Sequence, residues 1–159
     1  MKKLALTDFT KYRYPSALEL SPDGRYLTFA LKEVDREGDG YRWNLWLYDL
    51  ESRESRQITR GDHQRQAVWE DNTHILYKTT ELDEAMRARG FEEEWTVYHR
   101  LNVCTGEESE AFRLPMSVSG LWKMDEGRYV FTGETHLDRP NLLELTGEAL
   151  EKELVRRQQ

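Results

Sequence analysis

The stretch Ala17–Phe29, which reads ALELSPDGRYLTF, decides the fold because it combines a strand, a tight turn and a second strand. The turn is Ser21–Gly24, in which proline presets φ at the second position and glycine accepts a positive φ. Two later stretches follow the same pattern: Ala67–Tyr77, AVWEDNTHILY, and Leu121–Phe131, LWKMDEGRYVF. The chain therefore carries repeated copies of one strand-turn-strand unit.

The spacing of these copies predicts the architecture. The triplet Gly24-Arg25-Tyr26 recurs as Gly127-Arg128-Tyr129, 103 positions later (127 − 24), with a weaker copy roughly midway. A period of about 50 residues is typical of propeller-like β repeats. We predict an all-β fold of about two and a half to three propeller blades, each a four-stranded antiparallel sheet, with a short inserted helix and a C-terminal helix.

The predicted domain organisation covers the whole chain. Residues 1–15 form a lead-in segment, and residues 16–145 form a partial β-propeller with blades at about 16–60, 61–115 and 116–145. Residues 146–159 form a C-terminal helix, and the end at Gln159 is either natural or a truncation. Two complete blades and part of a third cannot close a ring, since propellers usually have about four to eight blades.

Two segments of the first and second blades allow more detailed predictions. Trp43–Leu50 is the strongest strand pattern, and it is apolar on both faces, so we expect both faces to be covered, as between stacked blades. In the second blade, Thr80 is predicted to cap a short inserted helix, with Asp83 completing a capping box. Gly90 then ends this helix.

The third blade begins like the others but does not finish in the same way. Asn141–Leu145 is predicted to be its third strand, and the sequence supplies no fourth. Thr146 is predicted to cap the C-terminal helix, in which Glu153 and Arg157 form an i, i+4 ion pair. The apolar face of this helix is predicted to consist of Leu150, Leu154 and Val155.

Composition indicates an ordered, acidic protein. The chain has 159 residues, of which 38% are hydrophobic, and its five Trp and eight Tyr argue against disorder. The net charge of −7 disfavours nucleic acid as a partner. No apolar run approaches the length of a membrane span, and the apolar run Leu4–Leu6 after Met1-Lys2-Lys3 is too short for the apolar region of a secretion signal. With Cys104 as the single cysteine, these features predict a cytoplasmic protein with no membrane partner.

The repeat resembles the N-terminal part of the propeller domain in the prolyl oligopeptidase family of serine peptidases, especially its acylaminoacyl-peptidase and dipeptidyl-aminopeptidase-like members. The matching segments are Leu20–Phe29, Asn44–Leu50 and Arg56–Thr59, and the resemblance spans most of residues 16–133. It implies a propeller that covers an active site and restricts the substrates to short peptides. In that family the nucleophile lies in a separate, C-terminal α/β-hydrolase domain.

The sequence itself lacks the hydrolase machinery. An α/β-hydrolase needs a G-x-S-x-G elbow, which holds the serine on a strained turn between a strand and a helix. The nearest approach is Ser117–Gly120, which lacks the first glycine and precedes a predicted strand. The resemblance therefore implies a fragment or truncated product of a larger serine peptidase, without a catalytic triad and inactive by itself. No cofactor is predicted.

Glu92, Glu93 and Glu94 are the candidate substrate-binding residues. In the dipeptidyl-peptidase branch of the family, a pair of propeller glutamates on a helical insertion binds the free α-amino group of the substrate. Adjacent carboxylates make a favourable site for an ammonium group. The alternative is a solvated acidic run on a loop.

Other chemically capable side chains lack a functional spacing. The histidines and Asp62 match no metal-ligand pattern, so no metal site is predicted, and packing or edge roles are expected for His74 and His99. Cys104 has no basic neighbour in sequence that would lower its thiol pKa. The five tryptophans are expected to fill the space between blades: Trp43, Trp46, Trp69, Trp95 and Trp122. Three arginines are expected to be surface residues: Arg87, Arg89 and Arg100.

Two functions remain open from the sequence. The first is the noncatalytic, substrate-gating segment of a serine peptidase that cleaves short peptides; the second is a self-associating β-repeat module for protein binding. A fragment should have a poorly packed helix after Thr146, whereas a self-sufficient module should use that helix as a cap. Under either hypothesis, an open blade array exposes strand edges, so we expect a homo-oligomer.

Overall fold

The computed structural model describes residues 8–35, 37–38, 40–125, 127–135 and 137–158. These residues form ten strands and two α-helices, with short 3-10 helices at Asp8–Lys11 and Leu142–Glu144. The strands and helices, in chain order, are β1 Tyr14–Leu20, β2 Tyr26–Asp35, β3 Gly40–Asp49, β4 Glu54–Gln57, β5 Val68–Trp69, β6 His74–Leu82, α1 Glu84–Arg87, β7 Glu94–Asn102, β8 Glu108–Leu114, β9 Val118–Lys123, β10 Tyr129–Gly133 and α2 Gly147–Gln158.

The strands form three sheets in the order of the sequence. Two sheets have four strands each, β1-β2-β3-β4 and β5-β6-β7-β8, and the third has two strands, β9 and β10. Neighbouring strands run antiparallel and follow one another along the chain, which is the connectivity of propeller blades. The predicted all-β fold, with two complete blades and part of a third, is confirmed.

The turn between β1 and β2 forms as its sequence predicts. Gly24 has φ +74°, a value that suits glycine, and its N–H donates to the Ser21 carbonyl at 2.9 Å. The Ser21 hydroxyl donates to the Asp23 carboxylate at 2.6 Å and accepts from the Tyr26 N–H at 2.9 Å. These contacts join the turn to the first residue of β2.

A single carboxylate organises the equivalent turn in the second sheet. Asp71 accepts hydrogen bonds from the N–H groups of Thr73 and His74, at 2.7 and 2.8 Å. Burial acts to raise the pKa of Asp71, but these bonds and those from the two side chains lower it to about 2. The turn therefore keeps an ionised acceptor throughout the ordinary pH range.

The chain divides into two compact units, and Met1–Lys78 with His99–Ser109 forms the first. Its apolar core lies between β3 and neighbouring strands of this unit. Leu45 and Ile75 have no exposed surface, and the rings of Tyr26 and Trp69 stack with centroids 6.4 Å apart. The buried members of this core are Tyr26, Ala30, Leu45, Leu47, Ala67, Trp69, Ile75, Tyr77, Leu101 and Val103.

The two faces of β3 differ in burial. Leu45 and Leu47 are buried, as predicted, whereas Trp46 and Tyr48 on the opposite face are only partly buried. Trp46 stacks on Phe29 of β2, with centroids 6.5 Å apart. The face that carries Trp46, Tyr48 and Leu50 is therefore only partly covered, with Leu50 46% exposed, and the predicted burial of both faces is wrong for this face.

The second unit consists of Thr79–Tyr98 and Glu110–Gln159, and it has its own apolar cluster. Met86 of α1, Leu142 of the second 3-10 helix and Leu154 of α2 are buried together. Four partly buried side chains pack around them: Phe91, Leu143, Leu145 and Leu150. The buried side chain of α2 is thus packed together with residues of α1 and of the second 3-10 helix.

The structure decides three local predictions about this unit. Asp83, not Thr80, caps α1, because Thr80 lies within β6 and the Asp83 carboxylate accepts from the Met86 N–H at 2.9 Å. Gly90 follows the helix with φ +84°, as predicted. The segment 141–145 is not a strand, because the Asn141 side chain caps a 3-10 turn by accepting from the Leu143 N–H at 3.0 Å.

The apolar face of α2 is narrower than predicted. Leu154 is buried and Leu150 is partly buried, but Val155 is 55% exposed. The predicted ion pair forms, with Arg157 Nε 3.1 Å from Glu153 Oε1. Glu153 itself is largely buried, at 8% exposure, because α2 turns this side chain toward the unit and toward Arg157.

Candidate functional site

The acidic triplet lies where the loop after α1 enters β7. Glu92 and Glu93 lie in the loop, and Glu94 is the first residue of β7. Glu92 and Glu94 are exposed, whereas Glu93 is partly buried, so successive side chains differ in their access to solvent. This alternation follows from the extended backbone, in which neighbouring side chains point to opposite sides.

The triplet lines a cavity of about 670 Å³ in the second unit. Residues distant in sequence complete its wall, among them Glu134 just after β10 and Arg139 and Arg157. The other lining residues are Pro115, Met116, Ser117, Gly133, Thr135, Leu137, Pro140 and Asn141. The cavity therefore combines four carboxylates with two guanidinium groups.

Arg157 forms ion pairs and a hydrogen bond with neighbouring acceptors. Its guanidinium lies 3.0 Å from Glu93 Oε1 and 3.1 Å from Glu153 Oε1, and it donates to the Pro140 carbonyl. Burial acts to raise the pKa of Glu153, but hydrogen bonds from Arg157 and Arg156 outweigh it and hold that pKa below its ordinary value. Glu93 therefore serves a structural ion pair that holds α2 next to the loop.

The remaining carboxylates of the cavity are available for a ligand. The carboxylates of Glu92, Glu94 and Glu134 have neither an ion-pair nor a hydrogen-bond partner among the described residues. Carboxylates that share a solvent-accessible cavity attract a cationic group, and an ammonium with its three donors suits them best. Of the predicted triplet, the structure thus leaves Glu92 and Glu94 open and pairs Glu93.

The histidines do not converge on a site. His74 Nδ1 lies 3.0 Å from Asp71 Oδ2, and its Nε2 lies 3.2 Å from Asn102 Nδ2, so it belongs to the β5–β6 turn. His99 stacks on Tyr77, with centroids 5.2 Å apart. His63 forms an isolated bridge with Trp43, and His136 lies outside the described residues. No group of three or more His, Cys, Asp or Glu in the described ranges has the geometry to hold a metal ion.

Asp62 and Cys104 have local structural contacts. Asp62 has φ +62°, and it exchanges two hydrogen bonds with the Asn44 side chain, at 2.9 and 3.1 Å. Cys104 is exposed, and its Sγ lies 3.8 Å from the Tyr26 hydroxyl. These contacts are local to the first unit, where Cys104 also lines a second cavity of about 300 Å³ together with Asp49 and Arg56.

The tryptophans divide into packed and exposed members. Trp69 is buried in the core of the first unit and donates to the Glu19 carbonyl at 3.1 Å, which fits the predicted packing role. Trp95 donates to the Asp83 carboxylate at 2.9 Å, and Arg65 lies over the Trp43 ring at 4.1 Å. Trp122 differs from them because it is 50% exposed on the third sheet.

The three predicted surface arginines each make an ion pair. Arg87 pairs with Glu84 within α1 at 3.5 Å, and Arg89 makes a bidentate pair with Glu151 of α2, at 2.8 and 2.6 Å. Arg100 pairs with Glu70. All three guanidinium groups are partly exposed, so these contacts stabilise the surface of the sheets and helices only modestly.

Comparison with known proteins gives similarity in fold and none in sequence. No protein-family profile matches the chain, and no curated protein is similar to it in sequence. Solved structures do match: the chain has the fold of β-propeller blades. One match is the β-propeller domain of the Trilobed protease from Pyrococcus furiosus, described as having an open velcro topology, with a TM-score of 0.54 and 13% identity over 77% of this chain.

A second match is an acylaminoacyl peptidase from Pyrococcus horikoshii, with a TM-score of 0.57 and 16% identity over 80% of this chain. The chain spans 34% of the first structure and 18% of the second. Both proteins are peptidases by name, and the second is of the type that the sequence resembles. Neither described α-helix has the length and hydropathy needed to cross a bilayer.

Sequence reasoning found the glutamate triplet but missed the rest of the cavity. Glu134 and Arg157 lie about 40 and 63 positions away from Glu94 (134 − 94 and 157 − 94). Neither belongs to a motif, and only the packing of α2 and the course of β10 bring them to the triplet. The Glu153–Arg157 spacing was a signal for an ion pair, yet it did not indicate that Glu93 would join it.

Proposed function

We propose that this chain is a noncatalytic propeller segment of a serine peptidase in the prolyl oligopeptidase family. The observation that carries the proposal is its similarity in fold to the propeller domain of one protease and to an acylaminoacyl peptidase. The repeat around Ser21–Gly24 supports the same family. In this function the blades shield a separate hydrolase active site and admit only short, unfolded peptides.

The chain is proposed to be noncatalytic because the serine in its nearest approach to a nucleophile elbow lacks the setting of a nucleophile. Ser119, in the nearest approach to a nucleophile elbow, lies within β9, and its hydroxyl lies 3.1 Å from the Thr132 carbonyl and 2.9 Å from the Thr132 hydroxyl. A hydrolase serine instead needs an exposed position on a strained turn, with a histidine in reach. The triad would therefore come from another part of the parent protein.

The proposal is tested on the native gene product. A fluorophosphonate probe, which labels activated serines, is expected to label a polypeptide that contains this sequence and is larger than 18.9 kDa. The labelled protein should cleave a short peptide but not the same sequence within a folded protein. An unlabelled native product of 18.9 kDa would exclude the peptidase function.

Within this function we propose that Glu92 and Glu94 bind the α-amino group of a peptide. Their carboxylates face a cavity of sufficient size for the end of a peptide, about 670 Å³. Glu134, which directly follows β10, adds a third carboxylate to the same cavity. Glu93 contributes indirectly, because its ion pair with Arg157 holds the wall of the cavity.

Replacing both open glutamates, Glu92→Gln and Glu94→Gln, is expected to weaken binding of a free-amino dipeptide by at least about tenfold. A charge-assisted hydrogen bond contributes about 1.5–3 kcal/mol, and about 1.4 kcal/mol corresponds to a factor of ten. NMR titration of the chain with a dipeptide and with its N-acetylated form measures the effect. The exposed Glu51→Gln variant is the control. Equal affinity for the two dipeptides in the unsubstituted chain would contradict the site.

A self-associating β-repeat module for protein binding is the second candidate function. The packing of α2 favours it, since Leu154 is buried against Met86 and Leu142, as a capping helix requires. A chain of this kind would bury its remaining open strand edge against another copy. Self-association is expected under either candidate, so the mass of the native gene product, and not the oligomeric state, separates this candidate from a fragment.

A further inference from the structure

The third sheet leaves the outer edge of β10 open. It has two strands where the other sheets have four, and β10 is paired only with β9 among the described residues. After β10 the chain forms a 3-10 helix and α2 and adds no third strand in the described part. Val130 and Phe131 of β10 are 50% and 42% exposed. An exposed edge with apolar side chains is a template for pairing with another strand.

The register of β10 on β9 determines which backbone groups point outward. Val130 pairs with Trp122 and Phe131 with Leu121, and the Met124 N–H donates to the Arg128 carbonyl at 2.8 Å. Hydrogen-bonded and non-hydrogen-bonded pairs alternate along an antiparallel ladder. Arg128 and Val130 therefore direct their backbone groups toward β9, and Phe131 directs its N–H and C=O toward the open edge.

The sequence of β10 is complementary to itself. If a second copy pairs antiparallel with Phe131 opposite Phe131, then Val130 lies opposite Thr132 and Arg128 lies opposite Glu134. The two-fold symmetry creates the Arg128–Glu134 contact twice. Arg128 is 70% exposed and otherwise pairs only with the equally exposed Asp125 among the described residues, and Glu134 has no described ion partner. The outward backbone groups of Phe131 would form two hydrogen bonds with those of the other copy.

We propose that β10 of one chain pairs with β10 of a second copy in this register, forming a continuous four-stranded sheet β9-β10-β10-β9. The sheet then has the strand number of the other two blades. The Arg128–Glu134 pairs fix the register, and the opposed Phe131 side chains add an aromatic contact at the centre. This inference does not depend on the peptidase proposal, and it identifies the edge through which the chain self-associates.

Charge reversal at the two positions tests the register. Arg128→Glu alone and Glu134→Arg alone each create two like-charge contacts and are expected to weaken dimerisation by about tenfold. The double variant restores opposite charges and is expected to return the dissociation constant to near its original value. Arg60→Glu, at an exposed arginine outside the sheet, changes the net charge as Arg128→Glu does and is the control.

Sedimentation equilibrium of the full 159-residue chain measures the dissociation constants. Amide hydrogen exchange adds a local readout: the Phe131 N–H should gain protection with protein concentration, while the Val130 N–H, which already faces β9, should not. A chain that stays monomeric at high concentration would overturn the proposal. A dimer that single reversals leave unchanged, or that the double variant fails to restore, would also overturn it.

Discussion

Replacing Leu45 by alanine is expected to lower the free energy of unfolding by about 3 kcal/mol. Leu45 lies in the middle of β3 and has no exposed surface. Its neighbours in the core, such as Ala30 and Ile75, come from other strands and are themselves fully buried. Removing the isobutyl group therefore leaves a cavity that these side chains fill only in part.

Leu50 provides the matched control for this prediction. It directly follows β3 and carries the same side chain, but it is 46% exposed. Leu50→Ala is expected to change the free energy of unfolding by less than about 1 kcal/mol, since most of its transfer free energy is not gained on folding. Urea denaturation monitored by tryptophan fluorescence measures both variants. Equal losses for the two would mean that Leu45 is not at the centre of the core.

Replacing Leu154 by alanine is expected to cost about 2–4 kcal/mol in the second unit. Leu154 is 2% exposed and packs with Met86 and Leu142, so it joins α2 to α1 and to the second 3-10 helix. Alanine has the highest helix propensity, so the substitution does not weaken α2 as a helix. The loss of stability therefore measures the packing of the Leu154 side chain. Denaturation followed by circular dichroism at the helix band measures the change.

Val155 is the neighbouring control on the same helix. It is 55% exposed, and Val155→Ala is expected to leave stability unchanged or to raise it slightly, because alanine is the better helix former. If Leu154→Ala proved as mild as Val155→Ala, α2 would not be a packed cap. The chain would then behave as a segment cut in mid-blade, and the argument for a self-sufficient module would lose its support.

The acidic cavity gives different roles to glutamates that are equivalent in the sequence. Three consecutive glutamates on a loop are in most settings a solvated run, and nothing in their sequence distinguishes them. The structure pairs Glu93 with Arg157 at 3.0 Å and leaves Glu92 and Glu94 facing a shared cavity. The pairing separates a structural carboxylate from two carboxylates available to a ligand, which makes the proposed amine site testable residue by residue.

The repeat architecture was predictable from the sequence because its signals are local. The turn at Ser21–Gly24 needs only the fixed φ of proline and the free φ of glycine, and β3 needs only its apolar pattern. Prediction from local signals was wrong where two residues close in sequence could each cap the same helix. Thr80 and Asp83 are both good helix caps, and Asp83 prevailed because β6 extends through Thr80 to Leu82.

The structure of the third blade depends on contacts between residues that are distant in sequence. The segment 141–145 has the apolar residues of a strand, but Leu142 is buried with Met86 and Leu154, and the Asn141 side chain caps a 3-10 turn. Burial against a helix thus outweighed strand propensity, which is itself largely a preference for a suitable packed surface.

The β-repeat fold, the turn chemistry and the ion pair between Glu153 and Arg157 follow from the sequence alone, because each depends on residues a few positions apart. The position of Glu134 and Arg157 in one cavity with the glutamate triplet, and the open edge of β10, instead depend on the folded structure. Those outcomes depend on how separate segments pack, and packing selects among local alternatives of similar free energy.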